Sequence, residues 1–460
     1  MKVRWKSDRG AALPTVMMVM IVAFTFAAIV VNLVTSQTKI EVTYESNVKA
    51  LHAAETGINE YLWYINKENA TPIPLLTDIP YPASNPEYVY NIKVIEDYLE
   101  KKVIQSTGWM YGNPSVKRTV TVTFKKRSFT QFVYISDEDP ADIWWTTGDK
   151  CYGPYHTNTN LSVYGTPEFF SNVSYVGSII PQSGTDNSIY HVTPEQVPEV
   201  DWPDDNAPLA DYGKQADGYY YTGLTRIMLN SNGTITVRNA NISPQTQTLP
   251  LPGNGVIYVD GGASSTLFDP NAGDVYISGT LKGRLTVGAA NDIFITDYNP
   301  VKDYLDSSTH TDGLTYADTT LSLEPLTGVV TPGGSGMNDM LGLQAFNNVN
   351  ILTKGWFNDI NTISASGDIN IYSAVMAING SFRNFNYQTN PSQNPSGKII
   401  LRGSLSQKKR GAVGQAARHD SGTLFYGYIK NYAHDPRMMY ESPPYYNLPD
   451  LSGWEIDEWN

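Results

Sequence analysis

Between Ala11 and Val34 the chain runs for roughly 24 residues without a charged side chain. At about 1.5 Å per helical residue, such a run reaches across a hydrocarbon layer of about 30 Å. Lys2, Arg4, Lys6 and Arg9 precede it, against a single acid, Asp8. Basic residues ahead of an apolar helix keep that end in the cytoplasm, so the rest of the chain is expected outside. A secretory signal has a shorter apolar region followed by a small-x-small cleavage site, and this run has neither feature.

The helix does not stop at Val34. From Thr35 to Lys67 there is no proline, and Gly57 is the only glycine. Ile40, Tyr44, Val48, Leu51, Ala54, Ile58, Leu62 and Ile65 recur in steps of three or four, which is the helical period. The pattern predicts one helix over 11–67, membrane-spanning first and amphipathic after. A plain anchor has no need of that continuation.

Residues 70–86 hold Pro72, Pro74, Pro80, Pro82 and Pro86 and read as a linker. Three strands follow, over 88–96, 102–109 and 118–125, the last two joined by a turn at Tyr111-Gly112-Asn113-Pro114. They make a small antiparallel sheet over 68–128. From residue 129 onward short strands start at Gly or Asn: Gly233–Arg238, Gly255–Asp260, Gly273–Ser278, Gly283–Val287, Asn291–Thr296, Asn348–Leu352, Gly367–Tyr372 and Gly397–Arg402. Alternate residues are apolar, and Gly or Asn suits the corners. The repeat is degenerate, with no strict period. It predicts a β-helix or solenoid-like domain over 129–460, with a β-sandwich as the alternative. Residues 185–221 and 299–338 lack the repeat and read as excursions, where binding surfaces often lie.

Arg9-Gly10-Ala11-Ala12-Leu13 after a short basic leader resembles a prepilin signal cut between Gly10 and Ala11. Ala53-Ala54-Glu55-Thr56-Gly57 resembles a stretch of PilX-type minor pilins. The resemblance implies a basic leader over 1–10, a pilin-type helix over 11–67 and a pilin-like α+β head. Leu13, Pro14, Thr15, Val19, Phe24 and Phe26 would lie in the membrane and then in a filament core. There is one departure. Major pilins carry Glu where Thr15 stands here, after Pro14. That Glu neutralises the terminal amine of the subunit ahead, and a tip subunit has none ahead of it, so the departure implies a tip position. Three more stretches resemble a bacterial surface family in which a pilin-like start precedes a β domain: 153–158 (GPYHTN), 403–414 (GSLSQKKRGAVG) and 432–437 (YAHDPR). That family brings no catalytic residues with it.

The whole reads as mainly β with a long N-terminal helix. The expected role is a non-enzymatic minor pilin-like surface protein, acting in pilus assembly or adhesion. Its implied partners are the membrane, other pilins, the assembly platform, a prepilin peptidase and a glycan or other surface polymer. It would be a single-pass protein of the inner, cytoplasmic membrane or of the pilus surface. The alternative is a membrane-anchored β-helix lyase or hydrolase acting on polysaccharide, or a carbohydrate-binding adhesin.

Charge bears on these readings. The net charge is −13, and the first ten residues are net positive, so the remainder is strongly acidic. Nucleic-acid binding is not expected of it. One cysteine, Cys151, excludes a disulfide framework and reads as a buried small hydrophobe. Asp137, Glu138, Asp139 and Asp142 crowd one stretch, and Asp201, Asp204, Asp205 and Asp211 another. No cofactor is expected, with calcium at these acids as the alternative. Lys408, Lys409 and Arg410 form a basic cluster. With Tyr426, Tyr428 and Tyr432 it makes a candidate binding surface, and neutralisation of the domain's own acids is the plainer reading. His156 and His434 read as structural histidines, since no nucleophile motif accompanies them.

Overall fold

The computed structural model describes residues 12–67, 76–97, 101–302, 311–352, 367–385, 397–416, 424–449 and 453–459. Leader residues 1–10 and the Gly10–Ala11 junction lie outside them. A single helix, α1, spans Ala12–Ile65. Its β-branched residues cost little in an apolar stretch. Thr25, Thr35, Thr38 and Thr43 each donate their hydroxyl to a carbonyl three or four residues back, which satisfies them within the helix.

The chain divides into two units. The first combines α1 with a sheet of Leu76–Tyr81, Tyr88–Asp97, Lys101–Met110, Asn113–Lys126 and Trp454–Trp459, paired in that order and antiparallel over the first four. Two findings differ from the sequence reading. Part of the proline-rich linker is the edge strand Leu76–Tyr81, with Pro80 opposite Val89. An edge strand leaves one side unpaired, so a missing N–H is tolerated there. The last strand, Trp454–Trp459, belongs to this first sheet and not to the large β domain. Asn66 ties it down, because its side chain both donates to the Trp454 carbonyl and accepts from the Trp454 N–H. Gly112, at φ +76°, closes the hairpin between Met110 and Asn113 in a conformation that favours glycine.

The second unit, Lys126–Gly453, is a stack of parallel strands. Parallel pairing between successive coils excludes the β-sandwich, whose sheets are antiparallel. One inward row shows the topology: Leu229, Gly279, Leu314, Ile371, Leu401, Tyr432, Cys151, Phe169 and Tyr190, each opposite the next. The numbers climb to 432, drop to 151 and climb again. The chain therefore enters in the middle of the stack and lays coils outward to Gln196. It crosses to the far end near Tyr219 and coils back until its last coil meets its first. We call that junction the seam. Gly279, at φ +111°, sits where a Cβ would lie 2.3 Å from the Leu229 carbonyl oxygen, so the row needs a glycine there.

A second row, Tyr219, Ile257, Val287, Leu343, Val375 and Leu405, runs beside the first. Each such buried aliphatic contributes about 1.5–3 kcal/mol. At one corner the acids and amides form a ladder. Asp274 accepts from Asn291, Asn291 accepts from Asn347, and Asp292 accepts from Asn348 and Asn350. Outside the coil, Phe268, Tyr276 and Phe294 stack with ring centroids 4.7 and 4.5 Å apart.

The return crossing is a strap laid on the stack. Val200 N donates to Asn158 Oδ1, Trp202 Nε1 to the Ile378 carbonyl, and Asn206 Nδ2 to the Gln344 and Ala289 carbonyls. The short helix Ala207–Gly213 then buries Leu209 against Val256 and Tyr258. Much of 185–221, read as an excursion, is this strap, with Ile189–Tyr190 and Glu195–Gln196 still stacked in parallel. Within 299–338, Gly313–Tyr316 belongs to the stack and Thr320–Leu323 pairs with Val330–Gly333 as a hairpin arm. The strand at Thr234–Asn239 is antiparallel to both its neighbours, so it forms no coil of its own.

Candidate functional site

The first half of α1 exposes its apolar side chains. Leu13, Val19, Phe24 and Phe26 are all more than half exposed, with Phe24 at 69%. Pro14 and Thr15 are exposed beside them. Pro14 falls in the first turn, where a missing N–H costs nothing. Leaving so much apolar surface in water is unfavourable at about 25 cal/mol per Å², so this surface requires a lipid or protein cover. It is also the one helix among the described residues that is long and apolar enough to cross a membrane.

From Ser46 onward the same helix is packed. Ala54, Ile58 and Tyr61 are buried against Tyr90, Ile104, Val122 and Phe124 of the first sheet, and Ala50 and Ala53 are buried beside Gly108. The small residues of Ala53-Ala54-Glu55-Thr56-Gly57 have a physical role here. A Cβ at Gly57 would lie 2.4 Å from Ser106 Oγ, and one at Gly108 would lie 2.3 Å from the Ala54 nitrogen. Helix and sheet touch backbone to backbone, and only small side chains allow it.

The basic cluster is taken apart by the seam. Parallel pairing of Gly397–Lys409 with Tyr134–Glu138 sets three cations beside three acids in register. Lys408 Nζ meets Asp137 Oδ2 at 2.5 Å, Lys409 meets Glu138 at 3.4 Å and Arg410 meets Asp139 at 3.3 Å. The Arg410–Asp139 pair is buried, and so are Tyr428 and Tyr432. The candidate surface is thereby corrected for those residues. Tyr428 and Tyr432 point into the coil, because strand alternation turns them inward, and Arg410, just past its strand, is buried over Trp145 beside Asp139. Lys408 and Lys409 neutralise the domain's own acids. The side chain of Tyr426 lies outside the described residues, as does Arg418. Arg437 is held by Asp435 at 2.6 Å.

Around the seam lies an interior cluster that the sequence reading did not assemble. Trp145 is fully buried, with Arg410 and Lys430 over its ring at 5.4 and 5.1 Å. Tyr134, Tyr155 and Tyr432 meet it edge-on. Lys430 Nζ reaches Asp149 Oδ2 at 2.5 Å. Burial pushes the Asp139 carboxyl up, with Arg410 opposing, and pushes the Lys430 ammonium down, with Asp149 opposing. Both directions mark ions kept where the charged form is disfavoured. Removing one partner of such a pair typically costs about 3–5 kcal/mol. Cys151 is buried next to them, and burial pushes its thiol far up, which leaves it inert.

The remaining candidates take structural places. His156 bonds to Ser174 Oγ at 2.9 Å and Asn158 Oδ1 at 2.8 Å, and burial pushes its pKa down. His434 Nε2 lies 2.8 Å from the Thr130 carbonyl. Asp137, Glu138 and Asp139 each turn to a different cation. Asp201, Asp204, Asp205 and Asp211 lie exposed along the strap and its helix. Among the described residues no three acids or other ligating side chains converge on a metal position. Sequence reading also passed over one cationic hollow. In Gly397–Arg402, read only as a strand, Lys398 and Arg402 stand on the outward face, and alternation alone could have marked them.

No protein-family model matches the chain, and no curated protein matches it. Among solved structures, a match is the competence-associated pilin ComZ from Thermus thermophilus, 12% identical over 90% of this chain and 97% of that one. The TM-score is 0.27, too low for the two to be called alike in fold, and the reading below rests on this chain's own residues.

Proposed function

We propose that the chain is a non-enzymatic, pilin-like surface protein, placed at the tip of a type IV pilus or related filament and acting in its assembly or in adhesion. The observation that carries this is the division of α1. Its first half is an uncovered apolar rod, and its second half is locked to its own sheet through Gly57 and Gly108. A simple anchor needs only the first part. A subunit that moves from membrane to filament needs a helix with one end free to repack and the other rigidly tied to a head.

Two features favour a tip position. Thr15 leaves the start of α1 without an acid, so a subunit ahead of it would find no carboxylate for its terminal amine. The parallel stack also adds a large second unit to every copy, and repeating that along a thin shaft would crowd it. In this reading Gly10–Ala11 is the peptidase cut, the second unit lies outside the membrane, and the partners are other pilins and the assembly platform.

N-terminal sequencing of protein recovered from the native membrane tests the processing step. A mature chain starting at Ala11 is expected, and one starting at Met1 overturns it. Crosslinking from a photoreactive residue at Phe24 then reads the neighbours. Capture of a pilin is expected, and lipid alone under filament-forming conditions overturns assembly.

A further inference from the structure

Three buried cations occur among the described residues, namely Arg402, Arg410 and Lys430. Arg410 and Lys430 each face a carboxylate. Arg402, only 8% exposed, does not. Its Nη1 donates to neutral acceptors alone, the Leu401 and Asn431 carbonyls and Asn431 Oδ1, at 2.8–3.2 Å. A buried charge without a counter-charge is unfavourable, so a cation kept in this state points to an anion from outside the chain.

The surroundings form a site. Arg402 lines a cavity of about 410 Å³ on the outward face of the stack, within the range of small-molecule pockets. Arg402 is opposite Ala433, and Ala433 is opposite Tyr152. The small Ala433 stands in register between Arg402 and Tyr152, and both of those residues line the cavity. Lys150 and Lys398 line the same cavity, and among the described residues one acid, Asp368, lines it with them. Asp368 Oδ1 accepts from the Lys398 N–H at 2.8 Å, at the far end of the strand from Arg402. Lys150 is partly engaged, since its Nζ lies 3.0 Å from Glu168. On a chain of net charge −13, a hollow whose described lining holds three cations and the single acid Asp368 is a local reversal of sign.

The walls narrow the chemistry. Leu323 and Pro325 of the hairpin arm close one side, and Tyr152 Oη donates to the Pro325 carbonyl at 3.5 Å. Gly328 of the same arm rests on Tyr152 and Phe170, where a Cβ would come within 2.9 Å of both. Behind Tyr152 the ring stack continues through Phe170 to His191, at 4.2 and 4.4 Å. A planar guanidinium matches a carboxylate, the Asn431 amide matches a hydroxyl, and the Leu323–Pro325 wall matches the C–H face of a ring.

We propose that this hollow binds the carboxylate of an acidic sugar, a uronic-acid residue of a polysaccharide, with Arg402 as its anchor and Lys398 and Lys150 as flanking charges. The inference does not require assembly into a filament.

The test is calorimetric titration of the full chain in detergent micelles with three probes: trigalacturonate, maltotriose as a neutral trisaccharide, and inorganic phosphate. Trigalacturonate is expected to bind and maltotriose to fail. Equal binding of both sugars, tighter binding of phosphate, or no binding of trigalacturonate at millimolar concentration overturns the proposal. Arg402→Lys keeps the charge and loses the fork, and should weaken trigalacturonate about tenfold. Exposed Lys398→Gln should weaken it roughly threefold, and that loss should shrink as salt is raised. If Arg402→Lys does not fold, Lys398→Gln with its salt dependence decides alone, and an unchanged affinity overturns the assignment. Either outcome leaves the filament reading standing, because that rests on the division of α1 and is tested by the mature N-terminus.

Discussion

Consecutive coils and the seam hold together differently. Where one coil follows another along the chain, the inward row is Ile, Leu and Val, and the corner is an Asn/Asp ladder. Where the last coil meets the first, some 270 residues away in sequence, the interior holds Arg410–Asp139 and Lys430–Asp149 around Trp145. Consecutive coils follow one another along the chain, so connectivity sets their order and generic apolar contact suffices. The seam has no connection to set its register, and a slip by one residue would turn every side chain to the wrong face. Paired charges meet in one register only. The difference teaches that this fold spends its buried ions where topology gives least guidance.

The largest effect should come from splitting a seam pair. Asp149→Ala leaves Lys430 buried and alone, and a loss of about 3–5 kcal/mol in denaturant unfolding is expected. The double replacement Asp149→Leu with Lys430→Met should regain most of it. If the double variant is as unstable as the single one, the pair does not act as a unit and the comparison fails.

Asp274, in the ladder of the consecutive coils, sharpens it through pH. Burial raises its pKa from 3.8 to about 7, the Asp292 N–H and the Asn291 amide opposing. The folded pKa lies above the unfolded one, so the folded state holds the extra proton between them. Stability therefore falls as pH rises from about 4 to about 7 and levels above that. Each pH unit separating the folded and unfolded pKa is worth about 1.4 kcal/mol, which sets a ceiling of about 4 kcal/mol. Asp274→Asn should flatten the decline of Tm over that window, and a slope unchanged from the parent would sink the assignment.

Smaller effects follow. Ile295→Val, in an ordinary coil, should cost about 0.5–1.5 kcal/mol in denaturant unfolding, well below the seam. Lys409→Ala breaks an ion pair whose two partners are about half exposed, and should change stability by no more than about 1 kcal/mol. A Lys409 effect as large as that of Asp149 would mean that burial does not separate the seam's inner and outer pairs.

Much of this was legible. The helix over 11–67 was written in its period, and the Gly/Asn-led strands in their alternation. The order of the stack was not, because pairing of 134–157 with 397–433 leaves no local pattern. Its trace was nonetheless present. The three stretches 153–158, 403–414 and 432–437 all converge on the seam, and Asp137-Glu138-Asp139 matches Lys408-Lys409-Arg410 charge for charge. Read singly, they suggested a cation site and a binding surface. The edge strand Leu76–Tyr81 was missed because proline argues against a strand everywhere except at an edge. The hollow at Arg402 was missed because only three-dimensional stacking shows which cation lacks a partner.

The seam also fixes a timetable. The coils over 134–196 are synthesised early, yet the surface that covers them is made by 397–433, near the end of the chain. Until those residues emerge, the early coils present an unpaired parallel edge, the kind of surface that recruits other chains. A protein built this way matures late in its own synthesis, and a cell that makes it must keep the early segment shielded until the last coil arrives.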